Sequence, residues 1–358
     1  MSEPKLWTAE KANQWYLQQP YLIGANYLPA DAINQLDMWQ AETFDIKRMD
    51  LELAWAESLG MNTMRVFLHD LLWAQDSEGF KRRIDIFLTL CAQRNIRPML
   101  VLFDSCWDPY PELGSQRAPM PGIHNSGWVQ GPGALALADT SQHQRLENYV
   151  KGVVGAFTHD PRVLLWDVWN EPDNVNIMSY GEGHLKKEPA DKLKHVEALL
   201  PKVFGWVRDM NPDQPLTSGL WRGDWDTHDN LEPIHKIQVE YSDVISFHNY
   251  EVPDVFAGRV QSLVKYNRPI FCTEYMARGM GNKFDNIIPL AKSLNVALYN
   301  WGFVAGKSQT YIPWDSWQNP YVGGRQPELW FHDIFHTDGK PYDAREIDVF
   351  NALKNSRP

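Results

Sequence analysis

The sequence is short of the features that mark several large protein classes. It carries three cysteines, Cys91, Cys106 and Cys272, an odd number with no paired spacing, so no disulfide framework is expected. Cationic residues are in deficit. Thirty-four Lys and Arg against 45 Asp and Glu give a formal net charge of −11, which argues against nucleic acid or an anionic membrane surface as partner. No stretch approaches 18 uninterrupted apolar residues, so no membrane-spanning helix is expected. The opening "MSEPKLWTAEKANQWY" has neither a basic n-region nor an apolar h-region, and a cytoplasmic location is the expectation. Linkers and low-complexity tracts are also missing, so residues 1–358 are read as one domain.

What the sequence has in excess is tryptophan: sixteen residues, within an aromatic content of 13%. Part of this set will be core packing. The rest sits in polar, Gly/Pro-rich segments, where a flat apolar face has nothing to pack on except a ligand. Sugar rings present such faces, and an uncharged substrate suits an acidic protein.

Short β-like runs alternate with amphipathic helical patterns along the chain. The strand candidates are residues 21–28, 62–68, 97–104, 163–170, 216–221, 244–250, 269–275 and 296–303. Between them, Leu146, Tyr149, Val150, Val153, Val154 and Phe157 repeat on one face of a helix, as do Phe80, Ile84, Phe87 and Cys91. Leu193, Val196, Leu200, Val203 and Val207 form a third such face. Near-continuous apolar strands separated by helices indicate a parallel sheet covered by helices. Eight such units predict an α/β fold, a single (β/α)₈ TIM barrel with its core at about 20–305. Residues 306–358 are read as a C-terminal loop and a closing helix from Asp343.

In such barrels the active site lies at the C-terminal ends of the strands. The polar residues there are Asn26, Tyr27, Arg65, Asp104, Asn170, Glu171, Trp221, His248, Tyr250, Glu274 and Trp301. Glu171 and Glu274 are the two carboxylates at the ends of strands four and seven. "WNEP" (Trp169–Pro172), "TEY" (Thr273–Tyr275), "MRVF" around Arg65, "FHNY" with His248 and Tyr250, and "YNWG" with Trp301 appear in order on successive strands. With these motifs the chain resembles glycoside hydrolase family 5, within the clan of barrel glycosidases that carry the acid/base on strand four and the nucleophile on strand seven.

The resemblance implies that Glu171 is the acid/base and Glu274 the nucleophile. Arg65, Asn170, His248, Tyr250 and Trp301 become the surrounding site residues. One departure stands out: where the family carries a His at or just past strand three, this chain reads "VLFDSCW". Asp104 or Trp107 is expected to take over that contact, with Trp128 nearby. The chemistry stands without the family. Cleaving a glycosidic bond needs a proton for the leaving oxygen and a nucleophile or base at the anomeric carbon. Two carboxyls supply both if their surroundings separate their pKa values. Arg65 is expected to hold Glu274 ionised, with Tyr250 as a second donor, and the Glu274 charge to raise Glu171. Asn170 offers an amide to the sugar 2-OH and Trp301 a stacking floor. Carboxyls roughly 5–5.5 Å apart would give net retention.

Other patterns carry less. "HDIFH" (His332–His336) has the i, i+4 spacing of a zinc pair but lacks the Glu of HExxH. "GVVGAF" lies inside a helical pattern and is not a phosphate loop. Cys272 is read as packing, and Cys106 lacks a His partner for nucleophilic chemistry. No metal or other cofactor is expected. The connection from Trp107 to about Thr140 is too long for a simple turn, and it is expected to wall off one end of the cleft. Trp314, Trp317 and Tyr321 are expected either to line a sugar subsite or to pack as a lid. These features, with the family resemblance, lead to an expected exo-β-mannosidase on short substrates such as Manβ1-4GlcNAc. The alternatives are an endo-β-1,4-glucanase or endo-β-1,4-mannanase, and a non-catalytic carbohydrate-binding barrel.

Overall fold

Each strand candidate contains a strand in the computed structural model, which describes residues 6–180 and 184–356. The strands are β1 (Ile23–Asn26), β2 (Thr63–Phe67), β3 (Met99–Val101), β4 (Leu165–Asp167), β5 (Leu216–Thr217), β6 (Ile245–His248), β7 (Ile270–Tyr275) and β8 (Ala297–Asn300). All ladders are parallel, in the order β5-β4-β3-β2-β1-β8-β7-β6. Past β5, a parallel bridge between Leu220 and Phe247 joins the two ends of that order and completes the ring. The result is the expected (β/α)₈ barrel. The strands are buried throughout, which is why they read as apolar runs rather than as alternating patterns. At Gly24 a Cβ would lie 1.9 Å from the Thr63 carbonyl oxygen, so only glycine lets β1 lie this close to β2.

The helical faces read from the sequence meet this barrel. In the helix His143–Phe157 the six periodic residues are all buried, at ~1.5–3 kcal/mol of transfer free energy each. In the helix Asp70–Ala92 the buried face holds Phe80, Ile84, Phe87 and Cys91. Asp76 leaves helical geometry within it, and its carboxylate accepts from the Gly79 N–H at 2.8 Å, capping the second half. The helix Lys192–Asp209 buries Val196, Leu200, Val203 and Val207, while Leu193 is half-buried. Asp343 caps a last helix, Ala344–Asn355.

The segment after β3 is ordered by pairing with itself. Asp104 and Gly131 exchange backbone hydrogen bonds of 2.6 and 3.0 Å, and Asp108 bridges to Val129. It then leans on the loop after β8. Asn125 N–H donates to Ser308 O (2.8 Å), His124 N–H to Ser316 Oγ (2.9 Å) and Tyr321 N–H to Gly122 O (2.9 Å). Trp107 stacks on Trp317 with centroids 5.0 Å apart and planes 11° from parallel. A third segment, after β4, joins through Asn176, which accepts from Trp107 N–H at 2.7 Å. Three loops thus make one wall beside the strand ends. No helix among the described residues is long and apolar enough to cross a membrane.

Candidate active site

At the C-terminal mouth of the barrel lies a cleft of about 440 Å³. Of the eleven strand-end residues, eight line it, namely Asp104, Asn170, Glu171, Trp221, His248, Tyr250, Glu274 and Trp301, as do Trp107 and Trp128. Asn26 and Tyr27 do not, and neither does Arg65. It is 1% exposed and sits beneath the cleft, so its contacts are with other site residues.

Arg65 ties the strand ends together. Its Nη1 donates to Glu274 Oε1 (3.1 Å) and Asn26 Oδ1 (2.8 Å). Its Nε and Nη2 donate to Asp167 Oδ2 (3.0 and 2.8 Å), and Nη2 also to Asn170 Oδ1 (2.6 Å). Burial works against the guanidinium charge, yet Asp167 and Glu274 outweigh it and raise its pKa. Asn170 is held at its other end too, Nδ2 donating to Asp104 Oδ1 at 2.9 Å. Asp104 in turn accepts from Trp128 Nε1 at 2.5 Å. Burial raises the Asp104 carboxyl to about 6 against the pull of these donors. Asp104, at the end of the strand-three run, thus fixes one amide and one indole.

Glu274 accepts from Arg65 and, at Oε2, from the Tyr250 hydroxyl at 2.6 Å. Glu171 accepts at Oε2 from Asn174 Nδ2 (2.7 Å) and the Cys106 thiol (3.2 Å). His248 Nδ1 lies 2.8 Å from Glu171 Oε1 and 3.4 Å from Glu274 Oε2. Burial lowers His248 to about 4, so the ring is neutral near pH 7 and can donate to an ionised Glu171 or accept from a protonated one. Burial raises both glutamates. Arg65, in direct contact, and Tyr250 pull Glu274 back, whereas the direct donors to Glu171, Asn174 and Cys106, are neutral. The cause differs from the sequence expectation. Desolvation, more than the Glu274 charge, sets the shift of Glu171, and Arg65 offsets the burial of Glu274 without reversing it.

Glu171 has φ of 41° and Trp107 of 69°, left-handed conformations costly for side chains of this size. Such outliers concentrate at functional sites, where surrounding contacts hold them in place. Here the Asn174 N–H closes the turn onto Glu171 O at 2.9 Å, and the Asn176 side chain holds Trp107 N–H.

Among the described residues two clusters have metal-like spacing, Glu171/His248/Glu274 and Asp173/Glu232/His235. In each, a guanidinium already supplies the positive charge: Arg65 against Glu274, and Arg222 bridging Asp173 (2.7 Å) and Glu232 (3.2 Å).

Sequence reasoning missed several parts. Asn174 and the Cys106 contact arise from loop geometry. Asp167 carried a readable signal, a lone carboxylate in a strand buried on both faces, which requires a buried cation. Of the aromatic segment after β8, Trp314 lines the cleft, whereas Trp317 is fully buried against Trp107 and packs, and Tyr321 lies outside the cleft. His332 and His336 lie on irregular chain, one buried and one exposed, in keeping with the reading that they are no zinc pair.

The model of the cellulase family (glycosyl hydrolase family 5) matches residues 38–320. Among solved structures, that of GH5_18 from Streptomyces cattleya in complex with GlcNAc is similar at a TM-score of 0.57 and 13% identity, over 95% of this chain and 82% of that one. Exo-beta-1,4-mannosidase Op5Man5 from Opitutaceae bacterium strain TAV5 matches at 0.57 and 17%, over 94% of this chain and 60% of that one. The endo-1,4-beta-mannanase from Rhizomucor miehei matches at 0.58 and 12%, over 94% and 96%. Curated proteins gave no match. With four-fifths of its length matched by the family model on a barrel of this architecture, the chain belongs to glycosyl hydrolase family 5 and is a glycoside hydrolase.

Proposed function

We propose that this hydrolase is a retaining exo-β-mannosidase that releases mannose from short β-1,4-mannosides such as Manβ1-4GlcNAc. The observation that carries the mechanism is the spacing of Glu171 and Glu274: one carboxylate oxygen of each lies within 4.8 Å of the other. So close an approach suits direct attack by one carboxylate better than the wider pair, about 6.5–9.5 Å apart, of an inverting enzyme.

In the first step Glu274 Oε attacks the anomeric carbon while the bond to the leaving oxygen breaks and Glu171 delivers its proton to that oxygen. Arg65 and Tyr250 hold the attacking carboxylate ionised and aimed. Asn170 is fixed between Arg65 and Asp104, and its second Nδ2 hydrogen, which rests 3.5 Å from the weakly accepting Cys106 Sγ, is the one that passes to the sugar hydroxyl beside the reaction centre. Trp301 and Trp128 supply apolar faces, their rings 6.4 Å apart at 75°. In the second step a water attacks the same carbon, gives its proton to Glu171, and the bond to Glu274 breaks.

The sugar and the mode of cleavage draw support from two directions. The wall built by the loops after β3, β4 and β8 suits a site for chain ends. The neighbours are named as mannosidases and mannanases, and the Streptomyces cattleya protein was also solved in complex with Manb1-4GlcNAc. The test is a panel of nitrophenyl β-mannoside, β-glucoside and β-galactoside, with Manβ1-4GlcNAc and a long β-1,4-mannan. Release of mannose from the small mannosides with the polymer left long supports the proposal. Mixed oligosaccharides from the polymer would instead indicate endo-mannanase action, and a preferred glucoside would overturn the sugar assignment.

A further inference from the structure

Outside the catalytic pair, a second charged cluster beside the cleft is built around the buried Asp173, two residues past Glu171. Its Oδ1 accepts from Trp221 Nε1 at 2.6 Å; its Oδ2 accepts from Arg222 Nε at 2.7 Å and contacts His235 Nε2 at 3.0 Å. Asp173 and His235 are each 1% exposed. Arg222 is held a second time by Glu232, at 3.2 Å from Nη2.

This network fixes two side chains that line the cleft and are only half-buried. Neither the Trp221 ring face nor the outer edge of Arg222 is needed for the core. Arg222 Nη1 makes no hydrogen bond to any described residue, so it keeps donors for a ligand. Fixing a tryptophan and an arginine in advance lowers the entropy a ligand must overcome to be ordered against them.

Barrel order says which part of a substrate they meet. Trp221 and Arg222 follow β5, which lies between β4, bearing Glu171, and β6, bearing His248. Trp301 and Trp128, from β8 and the loop after β3, stand across the cleft. The acid protonates the leaving oxygen, so the leaving sugar lies on the Glu171 side.

We infer that Trp221 and Arg222, positioned by Asp173 with His235, form the subsite for the leaving sugar. Trp221 stacks on the pyranose ring, and Arg222 donates to an uncharged acceptor on it, a hydroxyl or the carbonyl of an acetamido group. Asp173 acts through these two side chains and is a positioning residue. The assignment rests on the β-mannosidase reading and adds to it the residues that select the aglycone.

The test compares kcat/KM on two substrates, Manβ1-4GlcNAc and β-mannosyl fluoride, whose one-atom leaving group reaches neither residue. Trp221→Ala should lower the disaccharide-to-fluoride ratio about tenfold or more, and Arg222→Met about tenfold. Trp221→Phe should recover most of the ratio. Asp173→Asn should raise KM for the disaccharide more than it lowers kcat. Arg222 is half-exposed, so Arg222→Met carries the test should Trp221→Ala fail to fold. A ratio within twofold of wild type in Trp221→Ala and Arg222→Met overturns the subsite, as does parallel loss on both substrates. A wild type that cleaves neither substrate overturns the β-mannosidase reading on which this assignment rests, a distinct result.

Discussion

Replacing Arg65 with methionine should separate what this residue does for the fold from what it does for the nucleophile. The guanidinium is 1% exposed and lies between Asp167, fully buried, and Glu274. At 3.1 Å and an effective dielectric of ~20, its attraction to Glu274 is about 5 kcal/mol before the cost of burial is set against it. Removing one partner of a buried pair typically costs ~3–5 kcal/mol, because the remaining charge is left without compensation. Arg65→Met should therefore lose about that much stability in urea denaturation.

Its catalytic effect has a different signature. Without Arg65, the pKa of Glu274, already raised by burial, climbs further. The acidic limb of its pH profile should then move to higher pH, and kcat/KM on that limb should fall about tenfold for each unit of the displacement. Adding Asp167→Asn should restore most of the stability, since the buried charge is removed, and none of the activity. The assay is kcat/KM against pH on the nitrophenyl glycoside that the wild type cleaves. A folded Arg65→Met with an unmoved acidic limb and near-normal turnover would refute the reasoning.

Two further outcomes follow from the buried carboxyls. Burial raises Glu52 to about 7 against contacts from Tyr27 and Ala30. A raised carboxyl contributes stability that is fully present below the unfolded value near 4.5 and is lost as pH rises through the folded value. Wild type should thus be about 3 kcal/mol less stable at pH 8 than at pH 4 through this group alone. Glu52→Gln should remove that share of the slope in urea denaturation; an unchanged slope means Glu52 ionises normally. At the site, Glu171→Ala should cost ~10²–10⁴ in kcat/KM on substrates with sugar leaving groups and far less on a dinitrophenyl glycoside, whose leaving group needs no proton. Equal losses on both would remove Glu171 as the acid.

The barrel was legible because its strands are buried on both faces and its helices on one, giving two periodicities that local sequence records directly. The strand-end residues followed from the same logic, since a polar residue closing an apolar run lies at the barrel mouth. Other features depend on contacts between distant segments. Trp107, Trp314 and Trp317 look alike in sequence, all in polar, Pro-rich loops. Which of them faces the cleft is decided where the loops after β3 and β8 meet, and Trp317 ends up behind Trp107. Asn174 reaches Glu171 only because Glu171 adopts a left-handed turn, which the Asn-Glu-Pro-Asp series does not announce. Asp167 was the readable omission: in "LLWDVW" one carboxylate lies in a strand with no water on either face, and Arg65 is its counterion.

The central claim is that Glu274 attacks the anomeric carbon with Glu171 as proton donor. Glu274→Ala should abolish hydrolysis of the nitrophenyl β-glycoside that the wild type cleaves. Added azide should enter the space left by the side chain and restore turnover, giving the glycosyl azide of inverted, α configuration. Unimpaired hydrolysis in Glu274→Ala, or an azide product of retained configuration, would contradict the account.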